Sequence, residues 1–414
     1  MKRLLTVLLL IAGLTTQCHA QNRRPMRVHD PAIGKDGETY YLFSTGRGIG
    51  IRRSNDLVQW DRVGYVLDQL PDWATELIPK ARGAWAPDIA YFNNRYHLYY
   101  SVSTFGSRTS CIGLATSPTL DPDSPDYQWT DRGLVVQSND QTIFNAIDPN
   151  VFIDQQKNAW LSFGSYFGGL QMVKLDSSTG KPVTDPVTIA AHPSRVVEAP
   201  FVIEHQGYYY LFVSYDVCCR GVESTYKLKV GRSKSLLGPF VDHEGTPMTK
   251  GGGTLLLSSH DHIHGPGHNC IFEHEGREYV GHHFYDAQFR GLSRLQIRPL
   301  LWPQQESPET NWPVVGEPGV IDAQQPQTKA QGKYHFHLNY EKAGQIELTA
   351  EHQLITPQGS GTWSQKGQSL ILQLPTASAQ NEPTQIHCVL SRDSDWFIGR
   401  DQQGRLWRGT RMDE

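Results

Sequence analysis

The chain has 414 residues, which is long enough for one large domain and a smaller second domain. A formal net charge of −4 and the lack of Lys/Arg-rich runs argue against a nucleic-acid partner. Aromatic residues, Gly and Pro are common whereas Met is scarce, a balance typical of many short strands joined by turns.

Residues 1–20 have the pattern of a cleavable signal peptide. Lys2 and Arg3 precede a short apolar run at residues 4–14, and Ala20 supplies a small residue for cleavage. The run is too short to span a bilayer, and no later segment has the roughly 18 uninterrupted apolar residues that a membrane helix needs. We therefore expect export to the periplasm or the extracellular space, without a membrane span.

Five segments along the chain share one sequence pattern. They begin with "HDPAI", "WAPDI", "IDPNV", "EAPFV" and "HGPGHN", at intervals of roughly 50 to 70 residues. Each has a polar residue beside Pro or Gly, a strand, a turn and a second strand rich in aromatics, followed by a third strand and a polar fourth segment. Four strands per repeat are typical of a propeller blade. The fold is therefore predicted to be all-β, with a five-bladed β-propeller at residues 21–319.

The polar residue of each repeat opens the innermost strand, which faces the central axis of a propeller. This geometry predicts that Asp30, Asp88, Asp148, Glu198 and His268 meet at one end of the axis. Asp-Pro is also an ordinary turn opener, so a structural role is the alternative for each residue. A turn does not require Glu in one blade and His in another, and this diversity favours an assembled site.

Carboxylates that converge in a cleft among aromatic residues point to hydrolysis of a glycosidic bond. One carboxyl must stay protonated to donate to the leaving oxygen, and a neighbouring carboxylate raises its pKa because two like charges disfavour each other. A second carboxylate must stay ionised to activate water. We therefore expect one base, one acid and a third carboxylate that tunes the acid.

The chain resembles glycoside hydrolase family 43, and in particular its endo-acting arabinanases. The resemblance is carried by "HDPAI", "GAWAPDI", "IDPNVFID", "SFGSYFGGLQ", "VEAPFV", "STYKLKVGRS", "GPGHN" and "LQIRPLLWP", which follow the family's order across residues 27–319. It implies a five-bladed propeller that cleaves α-1,5-linked L-arabinan, or arabino-oligosaccharides, internally and with inversion. The alternatives are an exo-acting α-L-arabinofuranosidase or β-xylosidase of the same family, and a sugar-binding propeller without catalysis.

The resemblance also implies roles for individual residues. Asp30 of "HDP" corresponds to the general base, Glu198 of "EAP" to the general acid, and Asp148 of "IDPN" to the residue that orients the acid and raises its pKa. Asp88 is interpreted as structural. His268 corresponds to the histidine beside a central calcium ion, which would take most of its oxygen ligands from water.

Several further residues are candidates for binding the sugar. Trp85, Phe105 and Phe167 are expected to stack on sugar faces, with packing in the core as the alternative. Asn145 and Ser165 are expected to hydrogen-bond sugar hydroxyls. The predicted protein is a monomer.

The last part of the chain is predicted to form a second, smaller domain. Residues 320–336 are polar and Gln-rich, as in a linker, and the alternating strands of residues 337–414 fit a small antiparallel barrel. Its Trp363, Trp396 and Trp407 could form a carbohydrate-binding face, but core packing is favoured. We assign this domain no chemistry.

Five cysteines remain after the signal peptide, and their odd number and wide spacing do not indicate a disulfide framework. The adjacent Cys218 and Cys219 are either a strained vicinal disulfide or two thiols. No spacing fits a zinc site.

Overall fold

The computed structural model describes residues 26–304, 311–320, 327–375 and 383–412. The predicted signal peptide lies outside these residues. The described ranges are built almost entirely of strands, with one α-helix, α1 (Asp72–Leu77), and three short 3-10 segments. Within these ranges, no helix is long and apolar enough to cross a membrane.

The first 21 strands form five separate antiparallel sheets, each of which is one blade. Blade 1 contains β1 (Ala32–Asp36), β2 (Thr39–Ser44), β3 (Gly50–Ser54) and β4 (Asp61–Tyr65), and blade 2 contains β5 (Trp85–Phe92), β6 (Arg95–Val102), β7 (Ser110–Ser117) and β8 (Thr130–Ser138). Blade 3 contains β9 (Asn150–Ile153), β10 (Ala159–Phe163), β11 (Leu170–Asp176), β12 (Lys181–Pro182) and β13 (Val187–Ala190).

The remaining blades continue the pattern. Blade 4 contains β14 (Val197–His205), β15 (Tyr208–Tyr215), β16 (Lys227–Ser233) and β17 (Thr254–Leu257), and blade 5 contains β18 (Ile263–His274), β19 (Arg277–Asp286), β20 (Leu292–Leu301) and β21 (Val314–Val315). The innermost strands β1, β5, β9, β14 and β18 contact one another in a ring. The segment before β1 closes the ring. The backbone of Arg27 forms a β-bridge with Arg294 of β20, and the Val28 N–H donates to the Ser293 carbonyl, so blade 1 is joined to blade 5. The predicted five-bladed propeller is confirmed.

The aromatic second strands are buried on both faces. In "TYYLFS" of β2 and "RYHLYYSV" of β6, every residue after the first is buried. Each blade packs against a neighbour on either side, so both faces of its second strand leave water. Continuous runs of aromatic and β-branched residues, rather than an alternation with polar ones, suit such strands.

A closed eight-stranded barrel follows the propeller. Its strands are β22 (Gly332–Leu338), β23 (Glu341–Leu348), β24 (Gln353–Thr356), β25 (Gly359–Lys366), β26 (Ser369–Gln373), β27 (Gln385–Leu390), β28 (Trp396–Asp401) and β29 (Leu406–Arg411). The predicted linker therefore extends too far, because residues 332–336 already pair with β23 and β29. In "GKYHFHL" of β22, the buried Tyr334 and Phe336 alternate with polar residues, as in a half-buried strand. The polar residues made this segment resemble a continuation of the linker.

The barrel tryptophans pack in apolar cores. Trp363 and Trp407 are buried inside the barrel, and Trp396 packs against the cluster shared with blades 4 and 5. Their arrangement agrees with the core-packing interpretation. The two domains also share polar contacts: the buried Arg400 of β28 donates to the carbonyls of Leu255 and Pro313 in the propeller.

Candidate active site

One residue at the inner end of each blade has a positive φ angle, between 46° and 57°. In blade order these residues are Asp30, Ala86, Asp148, Ala199 and His268. Such backbone is unfavourable for residues with a Cβ, but each N–H is held by a side chain. The acceptors, in the same order, are His283 Nδ1, Thr45 Oγ1, Ser101 Oγ, Asp148 Oδ2 and Ser214 Oγ. We call these five positive-φ residues the kinked residues. At every blade, the kinked residue or the residue before it lines a cleft at the axis.

Asp88 does not line this cleft, although the repeat pattern predicted that it would meet the other four polar residues. The kinked residue of blade 2 is Ala86, and Asp88 lies further along β5. Its carboxylate accepts hydrogen bonds from the Val151 N–H at 2.7 Å and from Asn150 Nδ2 at 3.1 Å. Burial raises the pKa of Asp88 to about 7. Asp88 therefore joins blade 2 to blade 3, in agreement with the structural interpretation.

The cleft has a volume of about 860 Å³ and brings together all nine predicted site residues. These are Asp30, Asp148, Glu198, Trp85, Phe105, Phe167, Asn145, Ser165 and His268. The cleft is therefore formed by residues from all five blades, although blade 2 contributes Trp85 and Phe105 rather than Asp88.

Asp30 is surrounded by hydrogen-bond donors. Its Oδ2 lies 2.9 Å from His29 Nδ1 and accepts a 2.5 Å hydrogen bond from Thr45 Oγ1. Its Oδ1 lies 3.2 Å from His268 Nδ1. Burial by itself would raise the pKa of Asp30, but the surrounding histidines, first His29 and then His268, together outweigh burial and hold the pKa below its usual range. Asp30 is thus an ionised carboxylate. Burial opposes protonation of His29 in turn, yet Asp30 raises the pKa of that imidazole to about 10.

Glu198 has a different environment. Its two carboxyl oxygens lie 2.6 Å from the Ser165 hydroxyl and 2.6 Å from the Tyr226 hydroxyl. Burial raises the pKa of Glu198, although the two hydroxyls oppose that shift. A neighbouring carboxylate was the expected cause of a raised pKa at the acid, but burial of Glu198 is the largest cause.

Asp148 completes the set of carboxyls. Its Oδ2 accepts a hydrogen bond of 3.2 Å from the Ala199 N–H, which directly follows Glu198. Burial, and then the charge of Glu198, raise the pKa of Asp148 well above its usual value. The cleft thus places one ionised carboxylate beside two carboxyls that favour the protonated form.

Aromatic side chains form the rim of the cleft. The Phe105 side chain is 81% exposed, and its ring centroid lies 5.2 Å from that of Trp85. The exposed Tyr166 and Phe167 form a second pair, with centroids 6.2 Å apart. Phe105 and Phe167 are therefore surface rings rather than parts of the core, and large exposed aromatics beside a cleft indicate a binding surface.

The two predicted polar contacts differ from each other. Asn145 is buried, and its Oδ1 has no hydrogen-bond partner within the described residues. An unsatisfied buried carbonyl oxygen is costly, so this atom is suited to accept a ligand hydroxyl. Ser165, by contrast, donates its hydroxyl to Glu198, which is a partner that the sequence did not indicate.

Several residues that surround the carboxylates were not predicted. His29, Thr45 and His283 contact Asp30, and Tyr226 contacts Glu198. His29 directly precedes Asp30 in "HDP", so its proximity was readable from the sequence. The other three lie outside the innermost strands, and no spacing in the sequence links them to the acids.

His268 is the predicted metal ligand. When its Nδ1 donates to Asp30 Oδ1, its Nε2 keeps a free lone pair, and no residue in the described ranges hydrogen-bonds Nε2. A carboxylate behind a histidine is a common arrangement in metal sites, and burial lowers the pKa of His268, which favours the neutral ligand form. His268 therefore fits a site with one protein imidazole and water ligands. The atoms of His29, Asp30 and His283 also lie within 4.8 Å of one another, but His29 Nδ1 already pairs with the Asp30 carboxylate and His283 Nδ1 accepts the Asp30 N–H.

Comparisons with known proteins agree with this geometry. The chain is 42% identical over 293 residues to an extracellular endo-α-(1→5)-L-arabinanase of Bacillus subtilis, covering 69% of this chain and 87% of that protein. It is 40% identical over 305 residues to an extracellular exo-α-(1→5)-L-arabinofuranosidase of Cellvibrio japonicus, covering 70% of this chain and 86% of that protein.

The likeness to solved structures extends to both domains. The crystal structure of an endo-1,5-α-L-arabinanase from Thermotoga petrophila superposes with a TM-score of 0.77 at 24% identity, covering 94% of this chain and 99% of that one. At this identity the likeness concerns the fold, and it extends into the barrel.

The family model of glycosyl hydrolases family 43 matches residues 24–308. This range contains all five blades up to the end of β20 and every residue of the cleft. The resemblance seen in the sequence motifs is thereby confirmed, and the chain is a glycoside hydrolase that belongs to family 43.

Proposed function

We propose that the protein hydrolyses α-1,5-linked L-arabinan by internal cleavage with inversion. The observation that carries this proposal is that an ionised Asp30 and a Glu198 of raised pKa line the same aromatic-rimmed cleft. The two relatives named above, at 42% and 40% identity, are an arabinanase and an arabinofuranosidase that act on α-(1→5) linkages. An inverting reaction needs one base and one acid on opposite sides of the sugar.

In the proposed reaction Asp30 is the general base and Glu198 the general acid. Asp30 removes a proton from a water molecule as the water oxygen bonds to the anomeric carbon. Glu198 gives its proton to the glycosidic oxygen as the bond to the leaving sugar breaks. Asp30 ends protonated and Glu198 ionised, and exchange with solvent restores both. His29 and Thr45 support this assignment because they stabilise the ionised form of Asp30.

Asp148 is proposed to hold the acid in place. It accepts the N–H of Ala199, so it fixes the backbone directly after Glu198. The two carboxyls are also coupled, because ionisation of either one disfavours ionisation of the other.

The substrate is proposed to lie along the rim. Trp85 and Phe105 form one stacking surface, and Phe167 belongs to a second surface on the next blade. The unpaired Oδ1 of Asn145 would accept a sugar hydroxyl between them. Two aromatic surfaces beside the acids suit several consecutive sugars, which favours endo action.

The products from linear 1,5-arabinan test the mode of cleavage. We expect a mixture of oligosaccharides early in the digest, since an endo enzyme cuts at internal bonds. Release of one short product from the chain ends alone would support the exo alternative, in line with the relative from Cellvibrio japonicus. Proton NMR of the first product should show the inverted anomer, and a retained anomer would contradict the mechanism.

Tyr226→Phe is expected to lower kcat by roughly 10- to 100-fold, because a hydrogen bond to a charged group contributes about 1.5–3 kcal/mol. The Tyr226 hydroxyl stabilises the carboxylate that forms as Glu198 releases its proton. Its loss raises the pKa of Glu198 further, so the alkaline limb of the kcat profile should move to higher pH.

Tyr215→Phe is the matched control for this change. Tyr215 is equally buried in blade 4, but its hydroxyl donates to the Gly252 carbonyl rather than to an acid. Its pH profile should keep the wild-type limb. An unchanged limb in Tyr226→Phe would contradict the role given to the tyrosine.

We further propose that His268 holds one calcium ion at the axis, with water as the main source of its other ligands. The bound ion would supply positive charge beside the carboxylates. After exhaustive dialysis against EDTA and addition of calcium, elemental analysis should find about one ion per chain in the wild type and none in His268→Ala. His264→Ala, in the same strand, should retain the ion. Equal calcium content in all three proteins would contradict the assignment.

Export is proposed from the residues that precede the described structure. Residues 1–20 have a signal-peptide pattern, and both relatives described above are named extracellular. The mature protein should begin at Gln21, which N-terminal sequencing of the exported form tests.

A further inference from the structure

We propose that Cys219, together with Cys218 and His29, forms a covalent modification site in the wall of the cleft. Small-molecule disulfides would react with the Cys219 thiol and thereby block hydrolysis. The carrying observation is the contact of this thiol with the histidine that also contacts Asp30.

The contacts form a short chain from the thiol to the proposed base. Cys219 Sγ lies 3.8 Å from His29 Nε2, and His29 Nδ1 lies 2.9 Å from Asp30 Oδ2. Tyr285 holds the first two members of this chain: its hydroxyl lies 2.9 Å from His29 Nε2 and accepts the Cys219 N–H at 2.7 Å. Cys219 also has a positive φ of 67°, so its position is set by a specific turn. An atom added to this sulfur would therefore lie beside His29, the histidine that contacts the proposed base.

Cys219 is also the accessible thiol. It is exposed and lines the cleft, whereas Cys111, Cys270 and Cys388 are buried. Burial raises the pKa of Cys111 and of Cys270 to about 12, so both stay as unreactive thiols. A hydrogen bond from Cys218, supported by His29, lowers the pKa of Cys219 against the effect of burial. A thiolate beside a protonated imidazole is the reactive form of cysteine.

The neighbouring Cys218 provides a second step. The Cys219 thiolate attacks one sulfur of a small disulfide, which forms a mixed disulfide and releases one thiolate. The Cys218 thiol can then lose its proton to that thiolate and attack the Cys219 sulfur, which forms a bond between the two cysteines and releases the second small thiolate. The small disulfide is reduced to one thiol and one thiolate, which takes a proton from solvent, and the cysteine pair is oxidised. Both cysteines are free thiols in the structure.

Either product should impair hydrolysis. A mixed disulfide adds bulk at the cleft wall, where Cys219, His29 and Asp30 are all lining residues. A bond to Cys218 would require the turn to change and would withdraw the sulfur from His29. Displacement of a reacting group by about 1 Å can cost a hundredfold in rate, so a change at His29 is expected to matter for Asp30. An exported protein meets the oxidising conditions in which such disulfides persist.

Glutathione disulfide provides the test on the full-length protein. The reduced protein is freed of reductant and incubated with an excess of the disulfide, and peptide mass spectrometry then locates the modification. Initial rates on linear 1,5-arabinan are measured before treatment, after treatment and after addition of dithiothreitol. Cys219→Ser is compared with Cys388→Ser, in which the substituted thiol is buried in the barrel. Each rate is expressed relative to the same protein before treatment.

We expect modification at Cys219, as either a glutathionyl adduct or a loss of two hydrogens shared with Cys218. The rates of the wild type and of Cys388→Ser should fall by roughly tenfold or more and recover with dithiothreitol. Cys219→Ser should keep its rate. An unmodified Cys219, a modified Cys219 with full activity, or an equal loss in Cys219→Ser would each overturn the proposal. The location of the adduct needs no substrate, so the site is decided independently of the proposed activity on arabinan.

Discussion

Glu198→Gln is expected to lower kcat on linear 1,5-arabinan by about 10²–10⁴-fold, which is the contribution typical of a general acid. The amide has nearly the same shape and can keep contacts with the hydroxyls of Ser165 and Tyr226. It cannot deliver a proton to the leaving oxygen. Binding of arabino-oligosaccharides should therefore persist at nearly the wild-type affinity, and calorimetry can measure it.

The pH profile gives an independent measure of the same residue. Glu198 acts in its protonated form, so activity should fall as pH rises through its pKa. Because burial raises that pKa, the fall should occur at higher pH than for an ordinary glutamate. This alkaline limb should disappear in Glu198→Gln, together with most of the rate.

Glu204→Gln is the matched control. Glu204 lies in the same strand, β14, but it contacts Gln155 at the surface and is not part of the cleft lining. Its rate and pH profile should remain close to those of the wild type. A substrate with a good leaving group, such as a nitrophenyl arabino-oligosaccharide, should lose much less rate in Glu198→Gln because it needs no acid. Full activity of Glu198→Gln on arabinan would falsify the acid assignment.

The sequence was sufficient to predict the propeller and the convergence of Asp30, Asp148, Glu198 and His268 because both depend on the repeat. Five strand groups at regular intervals define five blades, and the inner end of each blade lies at the same axis. Asp30, Asp148 and His268 occupy the kinked position itself, so their convergence follows from their place in the repeat. Glu198 lies one residue before the kink of its blade and lines the cleft, whereas the kinked Ala199 does not.

The predicted position of Asp88 at the axis was wrong. Aligning the repeats by acidic residue placed Asp88 in the site, whereas aligning them by proline would have chosen Ala86. The contacts that Tyr226, Thr45 and His283 make with the acids could not be predicted from the sequence. Each contact joins segments that are distant in sequence, and its geometry depends on the angle between neighbouring strands or blades, which a strand pattern does not contain.

The start of the barrel was misjudged because β22 carries two histidines, a lysine and a glycine. Its apolar residues are only Tyr334, Phe336 and Leu338, and the strand is held in place by its pairing with β23 and β29.

Asp30→Asn is expected to reduce kcat by about 10²–10⁴-fold, as for removal of a general base. The asparagine side chain is neutral and cannot accept the proton of the attacking water. It also removes the negative charge that raises the pKa of His29 to about 10, so the imidazole should lose its proton at neutral pH. NMR of a protein with labelled histidine can follow this change without any substrate.

Asp88→Asn separates the catalytic role from the loss of a buried charge. Asp88 is also a buried aspartate on an innermost strand, one blade away, but it joins two blades and does not line the cleft. Its pKa of about 7 means that the wild-type side chain is already largely neutral below neutral pH. The amide oxygen can still accept the Val151 N–H, so this variant should keep most of its kcat and lose only modest stability in thermal unfolding. Comparable loss of kcat in the two variants would mean that burial, rather than the position of Asp30 beside His29 and Thr45, determines the effect, and the base would then have to be another residue of the cleft.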